Sequence, residues 1–238
     1  MLKRIIIFFL FFNIIISQRI LIPMDNSQTD HLKAYGLTFW SLTKNQNVEW
    51  LLNYRGGSFL FNDNSIIEQQ ILLRGIQYER IDSDELLNIY STIESNNMDI
   101  IILEKEPKIA VYSPPEKQPW DDAVTLALSY AEVNYDIVFD DEIMANKISD
   151  YDWLHLHHED FTGQYGKFYK NYKNTLWYKE METDFKANAL KYGFNSVHEF
   201  KKHIAFLIKK FIEQGGFLFA MCSATDSFDI ALASKNID

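Results

Sequence analysis

Residues 215–226 have the sequence Gly-Gly-Phe-Leu-Phe-Ala-Met-Cys-Ser-Ala-Thr-Asp, and they contain the only cysteine of the chain, Cys222. Two glycines precede a strand-like apolar stretch, and small, helix-capping residues surround the cysteine. This order predicts a strand, a sharp turn at Cys222 and a helix. Ala220 and Ala224 leave room for the tight backbone of such an elbow, where the best-known elbows use glycine. The following helix directs N–H groups toward the turn, which favours a thiolate there.

Apolar strand patterns alternate with helical patterns from Pro107 onward. The predicted strands are 108–112, 135–139, 151–157 and the strand before Cys222, and the predicted helices are 121–133 and 198–214. Ser196 and Glu199 form a capping box for the second helix. This alternation predicts an α/β fold, a parallel sheet with helices on both faces.

Residues 18–106 are predicted to form an additional N-terminal α/β region. It begins with a strand at 19–24 and a helix near 30–35, and Arg55-Gly56-Gly57 separates two apolar runs that predict a hairpin. Ser65 and Ser83 are predicted to cap helices, the first ending at Gly75. The adjacent glycines indicate a backbone that closely approaches either a ligand or a neighbouring strand.

The N-terminus has the pattern of a targeting signal. Lys3 and Arg4 precede an apolar stretch, residues 5–16, that is too short to span a bilayer comfortably and is followed by Ser17. We therefore expect a signal peptide at 1–17, with an uncleaved anchor as the alternative, and a domain boundary between 106 and 107. This predicts an exported protein (periplasmic, outer-membrane-associated or secreted) without a stable membrane span after cleavage.

Charge limits the partners of the chain. The net charge of −10 argues against nucleic-acid binding, which requires clustered Lys and Arg. The basic pairs Lys201-Lys202 and Lys209-Lys210 are expected on the solvated face of a helix. A lone cysteine in an oxidising compartment is buried and inert, paired between molecules, or a free reactive thiol.

The sequence His155-Leu156-His157-His158-Glu159 lies at the carboxyl end of a predicted strand and supplies catalytic candidates beside Cys222. Strand periodicity places His155 and His157 on one face and His158 on the other. We expect Cys222 as nucleophile, His157 or His158 as base, and Glu159 as a further catalytic carboxylate. The alternatives are a buried, inert cysteine and histidines that only cap a strand end. No cofactor or metal is expected, His155 and His157 being weak metal candidates.

Binding candidates lie in the proline-rich loop before the predicted helix at 121 and around the elbow. They are Glu116, Gln118, Trp120, Asp121, Ser223 and Thr225. The alternative for the loop is a rigid proline turn with Trp120 in the core. The aromatic residues of 161–192 could stack on sugars or close a pocket, or they pack the insertion onto the domain.

Four segments carry a resemblance to a known family. They are Arg-Ile-Leu-Ile-Pro-Met-Asp at 19–25 with the residues up to Gly36, Asn-Tyr-Arg-Gly-Gly-Ser-Phe at 53–59, Val-Tyr-Ser-Pro-Pro at 111–115 with Pro-Trp-Asp-Asp at 119–122, and His-Leu-His-His-Glu-Asp-Phe-Thr-Gly-Gln-Tyr-Gly at 155–166. Over nearly the whole mature region the chain resembles exported bacterial proteins labelled asparagine synthetase B. Their second half is similar to the class I glutamine amidotransferase-like, flavodoxin-like fold of ThuA-type and PfpI-type proteins.

This resemblance implies that Cys222 occupies the position of an amidotransferase nucleophile. It also implies a family chain that continues past Asp238, with its catalytic His and Glu beyond the elbow helix. Glutamine-dependent asparagine synthesis uses an N-terminal cysteine and a Ser-Gly-Gly-x-Asp-Ser loop, whereas this chain has Leu2 and no such loop. We therefore expect a Cys-dependent amide or ester hydrolase acting on a small molecule. The alternative is a noncatalytic domain that binds a small molecule or carbohydrate in the same pocket.

Overall fold

The computed structural model describes residues 18–114, 123–163, 166–235 and 237, except the side chains of 166–168. The chain divides into two compact units, Met1–Glu106 and Pro107–Asp238. The predicted signal peptide and the loop candidates Glu116, Gln118, Trp120 and Asp121 lie outside the described residues. Within the described part of the chain, every helix is too short or too polar to cross a bilayer.

The N-terminal unit is built on a five-stranded antiparallel sheet in the order β4-β1-β3-β2-β5. Its strands are β1 (Arg19–Ile22), β2 (Val48–Leu52), β3 (Ser58–Asn62), β4 (Glu79–Ile81) and β5 (Asp99–Leu103), and its helices are α1 (His31–Thr43), α2 (Ser65–Arg74) and α3 (Ser83–Ser95). The predicted hairpin is confirmed, since Leu51 pairs with Ser58 across the turn. Alternate residues of the central strands enter separate cores on the two faces, Ile20 and Phe61 in one and Leu21 and Leu60 in the other.

The helix caps of this unit lie one residue earlier than predicted. Asn64, not Ser65, caps α2, and its side-chain oxygen accepts hydrogen bonds from two backbone N–H groups of the first turn at 2.9 and 2.8 Å. Asp82, not Ser83, caps α3 in a capping box with Glu85. Asn and Asp precede the serines in both cases and cap at least as well as Ser, so the helix starts one position sooner.

Gly56 of the hairpin turn closely approaches a neighbouring backbone. A Cβ at Gly56 would lie 2.3 Å from the carbonyl oxygen of Met24, at a φ of +82° that already favours glycine. Arg55 beside it bonds Asp25 at 2.7 Å and Glu79 at 2.7 Å, and its guanidinium holds the pKa of Asp25 well below the usual range. The sequence predicted that the glycines approach either a ligand or a neighbouring strand. The structure shows a neighbouring part of the chain, at Met24, which directly follows β1 and Pro23.

The C-terminal unit is built on a four-stranded parallel sheet in the order β7-β6-β8-β9. Its strands are β6 (Ile109–Tyr112), β7 (Asp136–Val138), β8 (Trp153–Leu156) and β9 (Phe217–Ala220), and its helices are α4 (Ala123–Ala131), α5 (Asp140–Met144), α6 (Gly166–Tyr172), α7 (Leu176–Lys191), α8 (Val197–Glu213) and α9 (Ser223–Ala233). The predicted α/β class and parallel sheet are thus confirmed. The strand order is consistent with a flavodoxin-like arrangement, in which ligands bind where the order reverses, here between β6 and β8.

The two faces of this sheet are covered unequally. One face presents Leu154 and Leu156 to a core that includes Phe200 and Ile204 of α8 and Phe228 of α9. On the other face Phe217 and Phe219 of the edge strand β9 remain 58% and 45% exposed. Helices therefore flank the sheet, but over β9 the described residues cover only one face.

Lys201 is buried, which corrects the prediction that it lies on a solvated helix face. Its ammonium group donates to both carboxylate oxygens of Asp140 at 2.8 and 2.7 Å and to the hydroxyl of Tyr112 at 2.9 Å. The rings of Phe139 and Phe185 lie 4.3 and 4.8 Å from it. We call Lys201, Asp140 and Tyr112 the buried triad. Lys201 precedes buried Ile204 and Ile208 by three and seven positions, so it belongs to the inner stripe of α8.

Candidate functional site

Cys222 lies in a strained elbow between β9 and α9. The strand ends at Ala220, the helix begins at Ser223, and Cys222 between them has φ 53° and ψ −136°. This conformation is costly for a residue with a side chain, and such strain is concentrated at functional sites. The predicted strand, turn and helix are therefore confirmed. The cysteine is exposed, so the alternative of a buried, inert thiol does not describe it.

The elbow is tied to the end of the adjacent strand. β8 and β9 are parallel neighbours with Leu156 opposite Ala220, so both chains leave the sheet at the same edge. The N–H of Met221 donates to the carbonyl of Leu156 at 2.9 Å, and the N–H of Ala224 donates to the carbonyl of His157 at 3.4 Å. These bonds hold the segment after β8 against the first turn of α9.

Two histidines of that segment approach the thiol. One ring nitrogen of His157, one of His158 and Sγ of Cys222 all lie within 4.8 Å of one another. The two imidazole rings stack at a centroid distance of 3.7 Å. The prediction that His158 points to the opposite face is wrong because β8 already ends at Leu156, and strand alternation does not continue beyond it.

His155 lies apart from this group. Its ring is buried, stacks on Phe219 at 5.7 Å and lies 6.0 Å from the ring of His157. The histidines nearest the thiol are therefore His157 and His158 rather than the pair His155 and His157 that strand periodicity suggested as weak metal ligands.

Glu159 shapes the segment through the backbone. Its carboxylate accepts a hydrogen bond from the N–H of His157 at 2.7 Å, and its carbonyl accepts one from the hydroxyl of Ser227 in α9 at 2.8 Å. Both bonds restrict the path of the chain at the two histidines. Glu159 thus serves as an orienting residue in this geometry, while a direct catalytic role stays a prediction.

Ser223 and Thr225 occupy the first turn of α9. The hydroxyl of Ser223 is buried and has no hydrogen-bond partner among the described residues. Thr225 is exposed, and its N–H donates to the carbonyl of Cys222 at 3.3 Å. Their roles in binding stay predictions. The first turn of a helix also concentrates N–H donors, which suits an anion or a developing negative charge next to the thiol.

Sequence reasoning missed Ser227, which ties α9 to the histidine segment. A signal was present, because Ser227 follows Ser223 by one helical turn and directly precedes the core residue Phe228. A hydroxyl on the inner side of a helix needs a partner, and here it is the Glu159 carbonyl. The connection is long-range, so the partner could not be named from the pattern alone.

The aromatic insertion forms α6 and α7, and its residues pack both on one another and on the core of the C-terminal unit. Tyr178 is fully buried, Trp177 contacts Tyr178 with ring centroids 5.7 Å apart, and Tyr172 lies 5.2 Å from Trp177. Tyr192 at the end of the insertion stacks on Phe200 of α8 at 5.5 Å, which favours the alternative that the insertion packs onto the domain. Tyr169 stays exposed on α6.

No protein-family model, curated protein or solved structure matches this chain. An exposed thiol at the head of a helix, with two imidazole rings close by and the Ser223 N–H directly after it, has groups that can act as nucleophile, base and hydrogen-bond donor. That combination is suited to acyl transfer.

Proposed function

We propose that the chain is a Cys-dependent, amidotransferase-like hydrolase of amide or ester bonds, with Cys222 as nucleophile. The observation that carries the proposal is the strained, exposed elbow at Cys222 with the ring nitrogens of His157 and His158 within 4.8 Å. Strain of this kind persists only when the surrounding structure over-determines it. A structural cysteine gains nothing from this conformation, whereas a nucleophile gains access to a substrate carbonyl.

The chemistry requires one proton carrier and one anion site. A ring nitrogen of His157 or His158 accepts the proton of the Cys222 thiol, and the sulfur attacks the carbonyl carbon of the substrate. The carbonyl oxygen becomes an anion that the N–H of Ser223, the residue directly after the nucleophile, stabilises. The N–H groups of Ala224 and Thr225 already donate to backbone carbonyls. The imidazolium then protonates the leaving amine or alcohol, and water hydrolyses the thioester with the same base.

The position of the site in the sheet also supports a small-molecule substrate. Cys222 follows β9 and the two histidines follow β8, so both contribute from the carboxyl ends of adjacent parallel strands. Open α/β sheets bind ligands outside the carboxyl ends of their strands, and β8 is one of the two strands that border the reversal of strand order. The resemblance to amidotransferase-like proteins, with Cys222 in the position of their nucleophile, agrees with acyl transfer as the reaction class.

The test is the rate of thiol alkylation by iodoacetamide together with hydrolysis of a panel of small esters and amides. We expect Cys222 to react faster than free cysteine at neutral pH, and Cys222→Ser to abolish hydrolysis. Replacing the catalytic histidine with Gln should lower the rate by about 10²–10⁴-fold. His31→Gln is the matched control, because His31 is an exposed histidine of the N-terminal unit.

Two results would contradict the proposal. One is a native thiol that reacts no faster than free cysteine, and the other is hydrolysis that survives Cys222→Ser. Binding of a small molecule or carbohydrate without turnover would instead support the noncatalytic alternative.

A further inference from the structure

The group formed by His157, His158 and Cys222 also has the composition of a metal site, and we call it the His-His-Cys group. One donor atom from each residue lies within 4.8 Å of the other two. We propose that this group binds a Zn²⁺-type cation and that the bound ion masks the thiol. That the ion masks a catalytic thiol rests on the function proposed above, whereas the binding of the ion does not.

Coordination requires side-chain rotations, because the stacked rings of His157 and His158 must turn so that one nitrogen of each points at the same ion. Tetrahedral zinc with ordinary Zn–S and Zn–N bond lengths places its donor atoms about 3.5 Å apart. The donors lie within 4.8 Å of one another, so they need to close by at most about 1.3 Å, which rotation about side-chain bonds supplies. The backbone can stay in place, because the Met221 and Ala224 N–H groups already hold the elbow against Leu156 and His157.

The donor set selects the class of ion. Imidazole and thiolate ligands suit zinc and related transition metals, whereas Mg²⁺ and Ca²⁺ prefer oxygen ligands. Two neutral imidazoles and one thiolate leave a net positive charge on a divalent ion. Three protein ligands also leave a fourth coordination position, which solvent can reach because Cys222 is exposed.

The surroundings orient the ligands. His157 is only 9% exposed, and its backbone N–H donates a hydrogen bond to the Glu159 carboxylate at 2.7 Å. Ser227 holds the Glu159 carbonyl from α9. These bonds hold the backbone that carries the two histidines, which limits the positions that their rings can adopt.

Binding exchanges one proton for one metal bond. The Cys222 thiol releases its proton to solvent and forms an S–Zn bond, and one nitrogen of each imidazole donates its lone pair, with no change of oxidation state. The ion withdraws electron density from the bound sulfur, which makes the thiolate a weaker nucleophile toward a carbonyl or an alkylating reagent, and neither imidazole can accept a proton through its coordinated nitrogen. Zinc should therefore act as a reversible inhibitor.

The experiment titrates ZnCl₂ into the full chain by calorimetry, after chelator treatment, and measures iodoacetamide labelling with and without zinc. We expect one ion per chain, and labelling at least about tenfold slower at saturating zinc. Cys222→Ser and His158→Ala should each weaken zinc binding at least about tenfold, since even residues beyond the ligands cost that much. His31→Ala should bind like the unchanged protein.

The two proposals can fail separately. Zinc binding that is absent, or equally strong in Cys222→Ser, overturns the metal site even if the chain hydrolyses esters. Stoichiometric zinc binding that depends on Cys222 and protects the thiol supports the metal site even if no ester or amide is hydrolysed. Binding that leaves the labelling rate unchanged overturns the masking.

Discussion

The C-terminal unit contains two polar groups that differ in burial and in backbone strain. In the buried triad, Lys201 is 4% and Asp140 1% exposed, and each charged group has short hydrogen bonds. In the His-His-Cys group, Cys222 is exposed and has a strained backbone. The first group has satisfied its hydrogen-bonding capacity inside the protein, whereas the second holds reactive atoms at the surface.

This difference separates a structural group from a candidate functional one. A buried charge pair is hard to reach, and removing one partner leaves the other charge without compensation. A strained residue at the surface lowers stability and is retained where its geometry is useful. We therefore expect substitutions in the triad to affect folding and substitutions in the elbow to affect chemistry.

The largest effect should come from Lys201→Met. This change keeps the length of the side chain but leaves the Asp140 carboxylate buried without its cation, which should lower the free energy of unfolding by about 3–5 kcal/mol. Urea unfolding measures the change in the free energy of unfolding, and hydrogen exchange of the α8 amides measures the local loss of stability. Lys210→Met on the same helix is the matched control, because Lys210 is exposed and should change stability by at most about 0.5 kcal/mol.

A second variant tests the cause of that loss. Lys201→Met combined with Asp140→Asn removes the uncompensated charge and should recover part of the stability. Equal losses in Lys201→Met and Lys210→Met would show that the triad does not matter structurally.

The next effect is a loss of stability in alkali that depends on Tyr112. Burial raises the pKa of the Tyr112 phenol well above 10.0, with the Asp140 carboxylate as a further cause. The folded state keeps the phenol proton, and the unfolded state loses it above pH 10, so stability is present below pH 10 and falls as the pH rises. At pH 11 the loss due to this group should be about 1.4 kcal/mol.

Comparison with Tyr112→Phe isolates this contribution, since the other tyrosines titrate in both proteins. Unfolding measured at pH 9 and pH 11 should show a smaller decline in the variant. Identical declines would mean that Tyr112 does not contribute to the alkaline sensitivity.

The smallest effect should be a gain in stability from Cys222→Gly. Glycine adopts the positive φ of this turn without steric cost, and the relief of strain outweighs the entropy that glycine loses on folding. We expect about 1 kcal/mol of added stability together with loss of the proposed hydrolysis, measured by urea unfolding and the ester assay. Cys222→Ser, which keeps a Cβ, should show no such gain, and a Gly variant that is less stable than wild type would argue against strain at the elbow.

The described strands of the C-terminal unit were largely predictable because buried parallel strands have continuous apolar sequences. The predicted runs at 108–112, 135–139 and 151–157 correspond to β6, β7 and β8. In the N-terminal unit, β5 went unpredicted and the antiparallel pairing was recognised only at the hairpin. Pairing partners there are distant in sequence, as with β2 and β5, and no local pattern specifies them.

The sequence predicted the site residues that directly follow an apolar strand. The elbow at Cys222 follows from local rules of turn and helix formation, and His157 follows from its place after an apolar strand. The position of His158 and the burial of Lys201 did not follow in the same way. Both depend on where a strand ends or which face of a helix is covered, and these are settled by tertiary contacts.

The sequence by itself determined the α/β class of the C-terminal unit and the strand, turn and helix around Cys222, because backbone preferences and apolar periodicity act over neighbouring residues. Only the tertiary structure decided that His157 and His158 stack beside the thiol, that Ser227 holds the Glu159 carbonyl, and that Lys201 is enclosed with Asp140. These arrangements join residues far apart in the chain. These arrangements form only when the whole unit packs and its buried polar groups find hydrogen-bond partners.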